Sequence, residues 1–227
     1  MPEQRSPRVE WVAALFLAGG AALVVYIVSG ISLRWTFIGL GLVAAAVVVL
    51  ALRRLPPRRR AFVRRRIAVG AVSGLAATLA YDAVRYGLVE FAGLQVRPFE
   101  AWRLFGLALT DTDLPPPAVF AAGTAFHLCN GVAFGIAYTL AFGPRGPIAG
   151  IIWALVLETF MVSLYPGWLG LKALDEFISV SVAGHLAYGS VLGSLARFLL
   201  RSSRWGEHDR NPSVNAPTGT ATSGPAG

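Results

Sequence analysis

Two histidines of this chain stand in the same local pattern. The stretches HLCNGVAFG and HLAYGSVLG, at 127–135 and 185–193, both read H-L-x-x-G-x-x-x-G. On a helix the two glycines lie close to the stripe of the preceding histidine, and small residues four apart let helix backbones approach closely. We therefore expect His127 and His185 to face other helices rather than the surroundings.

A second pattern precedes each histidine. The stretches GAVSGLAATLAYD (70–82) and GPIAGIIWALVLE (146–158) both contain G-x-x-x-G, then seven further residues and an acid. The two patterns occur in the same order in each copy. The chain thus repeats a helix pair that carries one carboxylate, Asp82 or Glu158, and one imidazole.

Two imidazoles and two carboxylates suit three kinds of chemistry. As ligands they suit Zn²⁺, Fe²⁺ or Mn²⁺, and a metal with an open position could act on a lipid or another membrane substrate. As titrating groups they suit proton relays in ion or solute transporters. As a structural layer they would neutralise one another and fix helix register, with Asp82 and Arg85 paired at i, i+3.

A metal site is the first expectation among these three. The sequence has no H-E-x-x-H spacing that would identify the metal, and whether the chain is an enzyme stays open. Asn130 and Tyr188, one turn beyond the histidines, could support a ligand or the second nitrogen of an imidazole. The expected metal ligands are Asp82, His127, Glu158 and His185.

Composition places these residues in a membrane. The chain is 55% hydrophobic and 14% charged, with a mean hydropathy of +0.60, values typical of a polytopic membrane protein. Helices suit the apolar windows better than barrel strands, so we predict an all-α fold with six transmembrane helices, of which helices 3–4 and 5–6 form tandem parallel repeats. The predicted spans are 11–30, 35–52, 67–91, 118–142, 147–166 and 177–200.

Depth is an independent reason to group the ionisable residues. Counted from the predicted outer ends of their spans, all four lie about 12–14 Å below the outer edge, close to the midplane. Ionisable groups at that depth cost several kcal/mol if they face lipid, so they should face the bundle interior and meet one another.

The basic residues act as a topology signal. The formal charge is +8, but the arginines crowd the segment RRLPPRRRAFVRRR between the second and third spans, and Arg-rich short loops stay cytoplasmic. This places both termini in the cytoplasm, predicts the plasma (inner) membrane, and argues against nucleic acid as a partner. The Arg53–Arg66 linker could also attract anionic lipid of the bilayer.

The chain divides into four parts. An uncleaved signal-anchor hairpin (1–52) precedes the Arg/Pro-rich linker (53–66), a four-helix bundle (67–200) and a cytoplasmic tail (201–227) predicted to be disordered. In the outer loop, an amphipathic helix near 98–110 is expected as an interfacial anchor or as a lid. The glycine stripes serve equally within one bundle or between two chains, so a homo-oligomer stays open.

Overall fold

The chain is all-helical in the part that its computed structural model describes, residues 7–97, 99–110, 114–169 and 174–208. Eight helices follow one another there. They are α1 (Pro7–Leu15), α2 (Ala18–Ser29), α3 (Leu33–Arg54), α4 (Pro57–Ala92), α5 (Glu100–Leu109), α6 (Pro116–Ala141), α7 (Pro147–Leu169) and α8 (Leu174–His208).

Five of these helices, α3, α4, α6, α7 and α8, are long and apolar enough to cross a membrane. This confirms the predicted all-α, membrane-compatible architecture. The segment predicted as the first span, 11–30, is divided into α1 and α2. The amides of Phe16 and Leu17 bond to carbonyls three residues back, at 3.1 and 3.0 Å, which tightens the turn between the two helices. The uninterrupted apolar run does not signal this break.

Prolines and glycines set several helix boundaries. Pro57 and Pro116 occupy the first turns of α4 and α6, where the missing amide proton costs nothing. Gly30 and Gly93 follow α2 and α4 with φ of 71° and 64°, the left-handed conformation that ends helices. The spans are therefore delimited by local sequence, whereas packing determines their arrangement.

Glycine contacts hold the helices of each predicted pair together. Helix α4 packs against α6 and α8, and α7 packs against α8. A Cβ added to Gly74 would lie 2.8 Å from the carbonyl oxygen of Gly131 and 3.1 Å from the Cα of Gly135. A Cβ added to Gly150 would lie 3.0 Å from the Cα of Gly193. Equivalent glycines of the two sequence copies thus make the same kind of backbone contact.

Arginines in the first third of α4 bind backbone carbonyls of two other helices. Arg65 donates to the carbonyls of Leu199 and Leu200 at 3.2 and 3.0 Å, and Arg66 donates to that of Leu140 at 3.1 Å. Leu140 is the last residue but one of α6, so the bond from Arg66 complements the negative end of that helix dipole, whereas Leu199 and Leu200 lie inside α8.

Two predicted irregular segments are more helical than expected. Within the linker predicted for 53–66, only Leu55 and Pro56 lie between α3 and α4. Helix α8 continues to His208 and so includes the first part of the predicted tail. The rest of that tail, 209–227, lies outside the described residues.

Helix α5 corresponds to the helix predicted near 98–110, and Pro98 lies outside the described residues. It packs tightly on α6, because a Cβ on Gly123 would overlap the carbonyl of Trp102. On its exposed side, Arg103 donates to Glu100 at 2.6 Å, and this hydrogen bond raises the pKa of Arg103. The helix thus covers the bundle with one face and carries an ion pair on the other.

Candidate functional site

The first ionisable pair joins α4 to α6. The Nε2 atom of His127 lies 3.1 Å from both carboxylate oxygens of Asp82. The two side chains are 17% and 12% exposed, so water competes little for this contact. The pair has no net charge as imidazolium and carboxylate or as imidazole and carboxylic acid, whereas a neutral imidazole beside a carboxylate leaves one negative charge.

The second pair joins α7 to α8. The Nδ1 atom of His185 lies 2.8 Å from Oε2 of Glu158 and 3.0 Å from the carbonyl oxygen of Ser181. A carbonyl only accepts hydrogen bonds, so the contact with Ser181 requires a proton on Nδ1. The hydroxyl of Ser181 donates to the same Oε2 atom at 3.0 Å. The geometry therefore fixes which nitrogen of His185 faces its carboxylate.

The two pairs occupy equivalent positions of the two sequence copies. In each pair, the acid follows the G-x-x-x-G of one helix, and the histidine precedes the G-x-x-x-G of the partner helix. All four predicted ligands therefore find a partner, but as two pairs rather than as one group. Within the described ranges, no three His, Cys, Asp or Glu residues come together in a way that could hold a metal ion.

Aromatic rings fill the space beside the two pairs. The ring of Tyr81 lies 5.9 Å from that of His127 and 4.9 Å from that of His185, measured between centroids. The ring of Trp102, from α5, lies 5.2 Å from that of His127. Helix α5 therefore contacts the site itself, which an anchor in the interface alone would not do.

Both histidines line a cavity of about 110 Å³, and their partners Asp82 and Glu158 are not among its lining residues. Helix α2 contributes Gly20 and Leu23 to the wall, although sequence analysis assigned no site to the first hairpin. The lining is mainly aromatic and aliphatic, and its polar members are Thr78, Tyr81, Arg85, His127, Asn130, His185 and Tyr188.

Asn130 and Tyr188, the predicted supporting residues, both line this cavity. The hydroxyl of Tyr188 donates to the carbonyl of Gly131 at 2.8 Å, which ties α8 to α6. The amide oxygen of Asn130 lies against Gly19 of α2. The carboxylates, rather than these two residues, are the groups that support the imidazoles.

Arg85 has a different partner from the one predicted from the sequence. The interpretation of the four residues as a purely structural layer paired Arg85 with Asp82, but Asp82 contacts His127 instead. The guanidinium of Arg85 lies 5.1 Å above the ring of Tyr81, and only 4% of the residue is exposed. The i, i+4 spacing from Tyr81 is the sequence signal that could have suggested this contact.

The chain matches no known protein family, no curated protein and no solved structure. The chemistry of the cavity therefore carries the functional inference. Its distinguishing features are two imidazoles, each in contact with a carboxylate, and a buried guanidinium beside them.

Proposed function

We propose that the chain is a multi-pass membrane protein that transfers protons through its helical bundle as part of ion or solute transport. The observation that carries this proposal is the position of the two histidines. Each of them lines the cavity, and each imidazole contacts a carboxylate that is not part of the lining. His127 and His185 are the proton carriers, and Asp82 and Glu158 stabilise their charged forms.

The chemistry follows from the free nitrogen of each ring. His127 contacts Asp82 through Nε2, which leaves Nδ1, and His185 contacts Glu158 through Nδ1, which leaves Nε2. Histidine exchanges protons near neutral pH, and an adjacent carboxylate stabilises the imidazolium that forms. Each pair is neutral after it takes a proton from the cavity, and it carries one negative charge after it returns that proton.

A repeated architecture supports transport over a static role. The two pairs belong to two copies of one helix-pair pattern, and their glycines make equivalent contacts. Parallel repeats related by an axis along the membrane normal are a common transporter plan, with the site at the repeat interface. In this proposal α1 and α2 together form the first of six crossings.

Both termini lie in the cytoplasm of a plasma (inner) membrane in the proposed topology. The arginine-rich start of α4 favours the inner side, and its exposed Arg58, Arg59 and Arg64 suit anionic headgroups. Single cysteines in a Cys129→Ala background test this. Arg58→Cys should react with an impermeant maleimide only after the cells are permeabilised, whereas Gln95→Cys should react in intact cells; the reverse pattern contradicts the topology.

Proton flux in liposomes tests the proposed function. An imposed pH gradient, with the potential clamped, should collapse faster with wild-type protein than in protein-free liposomes. Asp82→Asn and Glu158→Gln keep side-chain shape but remove the charge, and each should slow the flux by about tenfold or more. Arg103→Gln, on the exposed side of α5, is the matched control. Equal rates in wild type and both site variants would refute the proposal.

A divalent metal is the second candidate, and one observation favours it. Metal-binding histidines usually have a carboxylate behind the ring, which is the arrangement of both histidines here. His127 and His185 would then be the ligands, with Asp82 and Glu158 orienting them. Metal analysis of wild type against the His127→Ala/His185→Ala double variant decides it, since equal content in both eliminates the metal.

A further inference from the structure

Arg85 carries a buried charge for which the described part of the chain supplies no counterion. The residue is 4% exposed, and no salt bridge joins it to a described carboxylate. Its Nε atom is buried and has no hydrogen-bond acceptor among the described residues. Among the described residues, the guanidinium contacts the ring of Tyr81. A guanidinium inside a membrane costs several kcal/mol unless it is paired.

Neither nearby carboxylate forms a salt bridge with Arg85. Asp82 places both oxygens on His127, and Oε2 of Glu158 accepts from His185 and Ser181, whereas Oε1 of Glu158 is buried and has no hydrogen-bond partner among the described residues. A His–carboxylate pair has no net charge when it consists of imidazolium and carboxylate, or of neutral imidazole and carboxylic acid. With both pairs in that state, the positive charge of Arg85 is the unbalanced charge of the site, and the cavity attracts an anion.

The walls determine what kind of anion fits. Arg85 is part of the cavity lining, and most of the other lining residues are apolar. Ligand sites typically combine such walls with a few polar groups that fix orientation. The volume of about 110 Å³ is well above what a single water molecule needs. The large apolar side chains of the wall are Leu23, Trp102, Phe105, Phe126, Phe134, Leu157, Met161 and Phe177.

We infer that the cavity binds an organic anion, with a carboxylate or phosphate group on Arg85 and an apolar body against the aromatic wall. A guanidinium suits both groups because its paired N–H donors match two oxygens at once. Such an anion would be the solute whose movement is coupled to protons, so this assignment of the substrate class rests on the proposed function. Binding itself does not require proton transfer.

Binding to purified protein in detergent tests the inference. Benzoate and octanoate should raise the thermal unfolding temperature in a saturable way, whereas benzamide, which has the shape of benzoate without its charge, should not. Nanodiscs doped with dioleoyl phosphatidic acid, compared with phosphatidylcholine alone, form the lipid arm. Stabilisation by the acids identifies a soluble source, and stabilisation only by phosphatidic acid identifies a lipid source.

Variants assign the binding to Arg85. Arg85→Gln should weaken the effective anion by at least about tenfold, while Arg85→Lys should retain part of the affinity. Arg103→Gln should bind as wild type does. Undiminished binding in Arg85→Gln, or no anion-dependent stabilisation by any of the probes, overturns the inference. If Arg85→Gln does not fold, Arg85→Lys provides the comparison, and benzoate binding as tight as in wild type would then overturn the inference.

The two proposals fail separately in this design. Glu158→Gln should lose proton flux but still bind the anion, because Arg85 is unchanged. Proton flux without anion binding would remove only the substrate assignment. Anion binding without proton flux would remove the transport proposal and leave a binding site.

Discussion

Replacing Gly74 by alanine should separate α4 from α6. The added Cβ would lie 2.8 Å from the carbonyl oxygen of Gly131 and 3.1 Å from the Cα of Gly135. Ordinary contacts need about 3.4 Å or more, so the backbones must move apart by about 0.5 Å. Overpacking of this kind costs about 1–3 kcal/mol.

A matched substitution isolates that cost. Gly39 lies in the middle of α3, and a Cβ there would meet nothing within 4 Å. Both substitutions gain the same helix propensity, about 1 kcal/mol relative to glycine, so their difference is the overpacking term. Gly150→Ala, at the equivalent position of the second helix pair, would place its Cβ against the carbonyl oxygen of Gly189 and should be destabilising at least as much as Gly74→Ala.

Reversible unfolding in mixed detergent micelles measures the free energy of unfolding of these variants. Gly74→Ala should be less stable than Gly39→Ala by about 1–3 kcal/mol, and Gly150→Ala by at least as much. If Gly74→Ala is as stable as Gly39→Ala, the close backbone contact between α4 and α6 is not present. If only one of the two site variants is destabilised, the equivalence of the two pairs fails.

Three further substitutions test individual contacts. Ser181→Ala removes one donor to Glu158 and should destabilise the protein by about 0.5–1.5 kcal/mol. The ¹⁵N imidazole spectrum of His185, which contacts the same carboxylate, should change, and an unchanged spectrum contradicts the contact. Tyr188→Phe leaves the carbonyl of Gly131 without its donor and should cost about 1 kcal/mol in micelle unfolding, so wild-type stability would rule the bond out. Arg65→Gln should lower the unfolding temperature by loosening the contact between α4 and α8, and no change would show that its two carbonyl bonds contribute nothing.

The repeated pattern predicted much of the site. The spacing of G-x-x-x-G to the acid places Asp82 and Glu158 at the level of the two histidines when glycines of neighbouring helices meet. Sequence alone could not show how four ionisable groups divide among themselves, because that depends on the rotation of each helix about its axis. The structure divides them into pairs within each sequence copy.

Other features depend on contacts that are distant in sequence. The break between α1 and α2 falls in an unbroken apolar run, so periodicity does not reveal it. From sequence alone, Trp102 could be an interfacial anchor. In the structure, Gly123 of α6 lets the backbone of α5 approach closely at Trp102. Arg85 has a carboxylate three residues away, and only the position of His127 explains why that carboxylate points elsewhere.

Proton flux through the two histidines tests the central claim most directly. Wild type, Arg103→Gln and the His127→Gln/His185→Gln double variant should be reconstituted at equal density in potential-clamped liposomes. The account predicts rapid collapse of a pH gradient with the first two proteins and a rate close to that of protein-free liposomes with the double variant. Collapse at the wild-type rate in the double variant would contradict it.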